Sequence, residues 1–532
     1  MADGYRSSFT EANQEHAVSP TLRWGMPSVA DLICIAILGV LVFTSLSVRL
    51  LGDAGIGWHI RTGQQILATH SIPRTDSFSS TMHGQPWFAW EWLYDVIVGK
   101  VESIAGLNGL TWFTAVIIAV TFGWMFRLLI LRRTNLLFAL GLVLLAVSAS
   151  TIHFLARPHV LSWLMTLAFF WILHTTELDE DSVQPSRKSW ILPILMIFWV
   201  NVHGGFLVGF ALLGVFWLAS IWTWFKAATK RPDSSLQKTA AAKRVLELGA
   251  ISVVTVLASL INPYGWKLHA HIYAYLSNRF LMDHIEEFQP PNFHGLAQKC
   301  FLILLMSCLA VLLTRRRQLR TSGGFVVLFA VYAGLYASRN IPIASILLAM
   351  VAGPSLPAIP AIDRFSTKMT AIEVQLRGHL WPALAILLTF FIALAGGRIG
   401  SKQLMDAHFD PQRMPVDAVN FIQSSGVPGP ILSPDTWGGY VIYRLYPKAE
   451  VVLDDRHDLY GEEFLKSYLA MVHVQEGWDA FLRQYSPKSI LLPRNSALAI
   501  VLSKSAGWKS VYADDVSIAF CRRATPLIGP AL

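Results

Sequence analysis

The sequence predicts a polytopic α-helical membrane protein with an α/β domain outside the bilayer, and three observations predict it. Hydrophobic residues make up 54% of the 532 and charged residues only 14%, a balance that few water-soluble chains of this length keep. Apolar runs recur along the first 397 residues, many long enough to span, since about 20 residues rising roughly 1.5 Å each cross a hydrocarbon core of about 30 Å. Beyond them the pattern changes to short apolar runs ended by turn residues, "GPILSP", "AEVVLDD" and "KSILLP", alternating with the helical spacing of "GEEFLKSYLAMV" and "GWDAFLRQY". That alternation predicts a small α/β domain over 398 to 532.

The elements follow in order. Residues 1 to 28 are polar, and no small-residue cleavage site follows the first apolar run, so the reading is a cytoplasmic tail and an uncleaved anchor. A transmembrane domain over 29 to 397 holds about 11 spans: 29 to 50, 110 to 130, 136 to 153, 159 to 175, 190 to 202, 205 to 225, 246 to 262, 299 to 314, 323 to 338, 341 to 354 and 380 to 396. The net charge of +9 is a topology signal. Lys and Arg cluster in alternate connections such as "RLLILRR" (127 to 133) and "RRRQLR" (315 to 320). With the N-terminus inside, 20 of the 43 basic residues fall in the tail and cytoplasmic loops, against 9 in the outer connections before the C-terminal segment. This bias orients the chain and puts 398 to 532 on the outer, periplasmic side of an inner membrane. No nucleic-acid partner is expected. Cys34, Cys300, Cys308 and Cys521 show no metal-ligand spacing, and no disulfide framework is expected.

The first outer loop, 51 to 109, is the longest connection of the transmembrane domain. From Phe88, apolar residues at 88, 92, 93, 96, 97, 101 and 104 form a helical stripe, with Glu91, Asp95 and Glu102 on the other face. An amphipathic helix on the membrane surface is expected there, and a second, shorter one over 58 to 67. On the same outer face fall Asp53, His59, Arg61 and Asp76 of this loop, "HFLARPH" (153 to 159), "NVHGG" (201 to 205), "NPYGWKLH" (262 to 269) and "SRN" (338 to 340). Ionisable groups are costly at membrane depth, so their convergence marks a candidate site; the competing reading is that span ends simply collect polar residues.

The stretches "GWHIRTGQQIL", "IPRTDSFSST", "GQPWFAWEWLYDV", "WVNVHGGFL", "INPYG", "SRNIP" and "WGGYVIYRLYP…VVLDDRHDLYG" resemble a bacterial subgroup of the GT-C superfamily of polyprenyl-phosphate-sugar-dependent glycosyltransferases. The resemblance covers about 30 to 520 and implies a GT-C-like fold. It also implies transfer of a sugar from a polyprenyl-phosphate donor to a glycan, lipid or protein acceptor on the outer face. In such enzymes the first outer loop carries an acid, and Asp53 takes that place as the implied general base. A second acid often follows two residues later, but here position 55 is glycine. The departure favours a metal-independent mechanism, with a divalent cation, Mg or Mn, left open.

Given that chemistry, Arg157 and Arg339 are the candidate phosphate clamps, because a guanidinium grips phosphate oxygens with a planar fork and stays charged. His203, His59 and Arg61 are donor-binding candidates, against a satisfied turn histidine for the first and lipid headgroup contacts for the other two. Glu91 and Asp95 are candidates for an acceptor or a cation, against a solvated carboxylate face. Trp437 and Tyr440 of "DTWGGY" are candidates for stacking on an acceptor sugar, against packing. The acidic run "LDDRHDLYGEE" (453 to 463) is either a sugar or cation contact or a helix N-terminus. His153, His159, Asn262 and Tyr264 read as structural. The rival functions are a polysaccharide polymerase or ligase, a transporter or flippase for a lipid-linked saccharide, and a scaffold that has lost its chemistry. A transporter should carry a polar path through the bilayer, and no internal repeat supports one.

Overall fold

The computed structural model describes residues 19–178, 187–229, 235–315, 319–356 and 360–523. A helix stands at each of the eleven positions where the sequence predicts a span. They are α1 (Val29–Phe43), α3 (Trp92–Leu131), α4 (Leu136–Ser150), α5 (His159–Leu178), α6 (Leu192–Val200), α7 (Leu207–Ala228), α8 (Ser235–Ala258), α10 (Leu296–Arg315), α11 (Thr321–Tyr336), α12 (Ile341–Ala352) and α14 (Leu380–Leu394). Between them lie α2 (Ile56–Thr69), α9 (Trp266–Ser277) and α13 (Pro360–Gln375). By length and apolarity alone, fewer of them than eleven qualify as crossings. Among the described residues, six helices are long and apolar enough to cross a membrane, or seven if the pair α13 and α14, bent by 68°, is one span. The physical reason is length: α6 and α12 have 9 and 12 residues, short of the roughly 20 that a crossing needs. Every residue of α12 is buried, so it is a core helix of a multi-pass bundle rather than a lipid-facing one.

Local chemistry fixes the ends. Ser28 and Asp31 form a capping box on α1, and Glu373 of α13 accepts hydrogen bonds from the Val29 and Ala30 amides at 2.8 and 3.2 Å. These are the orphan donors of a helix N-terminus. Helix α3 changes direction at Gly106, whose φ of 59° lies in the left-handed region. Its first turns therefore leave the spanning segment and pack on α2. The two backbones touch where glycine removes a side chain: a Cβ on Gly63 would stand 1.8 Å from the Asp95 carbonyl oxygen. The expected surface helix over 88 to 104 thus exists from Trp92, but its polar side is no solvated face. Asp95 is buried because α2 covers it.

The C-terminal region holds a short hairpin, β1 (Arg398–Ile399) with β2 (Lys402–Gln403), and a four-stranded sheet. The sheet consists of β3 (Ile431–Leu432), β4 (Ser489–Pro493), β5 (Trp508–Ala513) and β6 (Ser517–Arg522) in the order β3-β4-β6-β5. Strands β3 and β4 are parallel and the other pairs antiparallel. Helices α15 (Val416–Ser425), α16 (Asp435–Leu445) and α17 (His457–Val472) flank it. The first loop joins this sheet. Ser79 bridges to Val451, which in turn bridges to Ile431 of β3, and the Thr81 hydroxyl donates to the Val452 carbonyl at 2.6 Å.

Candidate active site

The segment between α1 and α2 is too short to wander. The Ala156 amide donates to the Leu50 carbonyl at 2.7 Å, which pins the "HFLARPH" turn beside it. Asp53 turns back on its own backbone, accepting from the Gly55 amide at 2.8 Å through Oδ1. Its Oδ2 lies 3.4 Å from Arg157 Nε. On the other side, Arg157 Nη1 meets Asp455 Oδ2 at 3.2 Å. The second oxygen of Asp455 accepts from the Trp58 indole at 2.9 Å. Burial works to strip the Arg157 charge, but Asp53 and Asp455 outweigh it and hold the guanidinium above its ordinary pKa. A Cβ at position 55 would stand 1.8 Å from Arg157 Nη1 and 2.3 Å from Asp455 Oδ2. Glycine 55 is therefore the residue that lets the guanidinium and the second carboxylate meet.

Within reach of the Arg157 charge is a group centred on Glu91, which sits at the N-terminus of α3. His59 Nε2 and His203 Nε2 each lie 3.7 Å from one of its oxygens. Backbone hydrogen bonding sets the tautomer of His203. His203 Nδ1 accepts from the Gly205 amide at 3.1 Å and from Ser162 Oγ at 2.8 Å, which leaves its proton on Nε2, facing Glu91. His59 Nδ1 lies 2.6 Å from Asp95 Oδ1, and burial, with Glu91 beside it, pushes the Asp95 carboxyl well above its ordinary range. Burial, then the Arg157 charge, keeps His59 well below the usual imidazole range; burial and Arg339 do the same to His203. Desolvation pushes the Glu91 carboxyl up to about 8, against the pull of Arg157 and Arg339. A protonated Glu91 between two imidazoles fits this frame. The charges of both candidate phosphate clamps act on this one carboxyl.

Arg339 stands in the turn before α12, 3.0 Å from Glu287 and with its guanidinium 4.5 Å above the Phe288 ring. Burial works to raise the Glu287 carboxyl, but Arg339 and its neighbours outweigh it and hold it below the usual range.

The structure thus gathers Asp53, Arg157, His59, Glu91, Asp95 and His203, with Arg339 in electrostatic reach. It corrects the other expectations. Arg61 does not face the cluster; its Nε donates to the Tyr443 carbonyl at 2.9 Å, fixing α2 to α16. Trp437 and Tyr440 are only 7% and 1% exposed because α16 is buried from Trp437 to Ile442, so neither ring is open to a sugar. Asp95 holds His59 rather than an acceptor. The expected structural roles of His159 and Tyr264 agree with their bonds, to the His153 carbonyl and from the Ala89 amide. Asp455 and Glu287, the partners of the two arginines, escaped sequence reasoning. The acidic run drew notice, but nothing in it points to Arg157, 298 residues away. Among the described residues, no three His, Cys, Asp or Glu side chains are grouped to hold a metal ion. The space between Asp53 and Asp455 is filled by a guanidinium, so this pair does not fit a divalent cation.

No family model matches the sequence, and no curated protein does. Solved structures do match. The oligosaccharyltransferase of Archaeoglobus fulgidus in its apo form superposes over 93% of this chain and 74% of its own, with a TM-score of 0.53 at 11% identity. ArnT from Cupriavidus metallidurans, bound to undecaprenyl phosphate, does so over 94% and 99%, with a TM-score of 0.50 at 14% identity. The chain has a GT-C fold. The archaeal oligosaccharyltransferase is also known with an inhibitory peptide and a dolichol-phosphate, and there the match covers 94% of this chain at a TM-score of 0.53. At these identities the likeness speaks for the fold alone.

Proposed function

We propose that the protein is a membrane glycosyltransferase that moves a sugar from a polyprenyl-phosphate-linked donor to an acceptor on the outer face of a bacterial inner membrane. The parts are a cytoplasmic tail (1–28), the transmembrane domain (29–397) and a periplasmic domain (398–532). The observation that carries the reading is Arg157 at ion-pair distance from Asp53 at the mouth of the first helix, in a fold shared with proteins captured with lipid phosphates. A carboxylate and a phosphate-binding cation side by side are what this transfer needs. Asp53 takes the proton of the acceptor as its heteroatom bonds to C1 of the sugar, and the C1–O bond to phosphate breaks through an oxocarbenium-like state. Arg157, with Arg339 in electrostatic reach of Glu91 beside it, offsets the charge that grows on the leaving phosphate. Glu91, flanked by its two histidines, feels the charge of both arginines.

Membranes containing the full chain, incubated with radiolabelled polyprenyl-phosphate sugars, test the reading. Transfer by the unmodified protein should fall by about 10²- to 10⁴-fold in Asp53→Asn, the range for losing a general base. Undiminished transfer in the variant removes Asp53 as the base. No transfer by the unmodified protein from any donor favours a transporter or scaffold.

A further inference from the structure

We infer that Asp455, delivered by the C-terminal region, is the second carboxylate of the site, and that it yields its hold on Arg157 to the phosphate of a lipid-linked donor. The inference rests on the proposed function and deepens it by adding a positioning residue from a distant part of the chain. A Cβ at Gly55 would fall 2.3 Å from Asp455 Oδ2, so the bare backbone there is what admits this carboxylate to Arg157. Asp53 and Asp455, 402 positions apart in sequence, thus meet on one guanidinium. Asp455 is set firmly for this task. Trp58 holds one oxygen, and the next residue, Arg456, is tied into a buried pair with Asp76 at 2.8 Å.

Charge arithmetic gives the exchange. Asp53, Asp455 and Arg157 sum to one negative charge when ionised. An incoming phosphate needs the fork of Arg157 and is repelled by both acids. Asp53 is anchored to its own loop by the Gly55 amide. Asp455 can let go of Arg157 while Trp58 still satisfies its other oxygen. Burial pushes the Asp455 carboxyl up to about 6, against the pull of Arg157, so its anionic form is held weakly. At 23% and 17% exposure, Arg157 and Asp455 are open to a ligand.

The experiment uses the full chain in nanodiscs, with undecaprenyl phosphate and, separately, inorganic phosphate as probes. If Asp455 competes with phosphate, removing its charge tightens lipid binding. Asp455→Asn and Asp455→Ser are both expected to bind about two- to fivefold tighter than wild type, the size of a partly exposed ion pair. Arg157→Gln loses binding, and Glu463→Gln, an exposed change on α17, leaves it as it was. A purely structural role would weaken binding instead. In the wild type, where no variant can misfold, adding the lipid should raise deuterium uptake over residues 453–459; unchanged uptake overturns the inference. Unchanged or weaker binding in both Asp455 variants, with normal wild-type binding, overturns this inference alone. Failure of the wild type to bind the lipid overturns the donor reading and the inference together. Tightening with inorganic phosphate but not with the lipid assigns the site to a soluble phosphate and overturns the lipid source.

Discussion

Two arginines in this protein each sit between two aspartates, and they are used differently. Arg456 bonds Asp76 of the first loop and Asp454 of its own turn at 2.8 and 2.7 Å, is 1% exposed, and lies 4.6 Å above the Trp87 ring. Arg157 bonds Asp53 and Asp455 at 3.4 and 3.2 Å and is 23% exposed. Both join the N-terminal half of the chain to the C-terminal region with the same three charges. The geometry separates them. Short bonds in a dry site make a clamp whose removal strands buried charge, while longer bonds in a half-open site leave a guanidinium that a ligand can claim. Electrostatics agrees at the buried clamp: burial works to raise the Asp76 carboxyl, but Arg456 and the Ser79 hydrogen bonds pull it below its ordinary value. At the open site Asp455 stays raised.

The comparison breaks most visibly at the clamp. Arg456→Ala should cost about 3–5 kcal/mol, the price of orphaning a buried carboxylate pair, read as a lowered unfolding midpoint and reduced yield of folded protein. An equally stable variant would mean that Arg456 is no clamp. At the open site Arg157→Lys should leave the unfolding midpoint close to wild type while transfer drops about tenfold, since a lysine keeps the charge but not the fork. Glu91 gives a pH test. Its carboxyl is raised from 4.5 to about 8 in the folded chain, so its contribution to stability is complete below about pH 4.5 and is lost as pH rises through 8. The wild-type midpoint should therefore fall relative to Glu91→Gln across that window, and parallel curves would contradict it. Trp437→Phe should have the smallest effect. It removes one indole bond to the Arg413 carbonyl, worth about 1 kcal/mol, and should leave transfer unchanged; a large loss of transfer would reopen the sugar-stacking role.

What the sequence made legible follows a physical line. Helix positions were readable because apolar runs are a local property, and all eleven coincide with helices. Which of them cross was not, since α12 reads like a span by composition but is a buried core helix. Arg157 and Arg339 stood out because tight turns need no guanidinium to cap them. Their carboxylate partners did not, because Asp455 and Glu287 reach them through tertiary folding alone. Asp95 and Trp437 were misjudged for one reason. An amphipathic face and an aromatic pair look the same whether water, a ligand or another helix covers them, and here α2 covers Asp95 while α16 buries Trp437.

The bridge from Ser79 to Val451 and on to β3 bears on how the molecule can be cut or recombined. A loop that lends an edge to a sheet about 370 positions away cannot be inherited without that sheet. Severing the chain after α14 would strip the first loop of its neighbour and Arg157 of one of its two acids. Grafting a foreign C-terminal region would need the loop over 51 to 91 to travel with it. The two halves form one heritable unit, and a chimera that exchanges both should fold where an exchange of either alone fails.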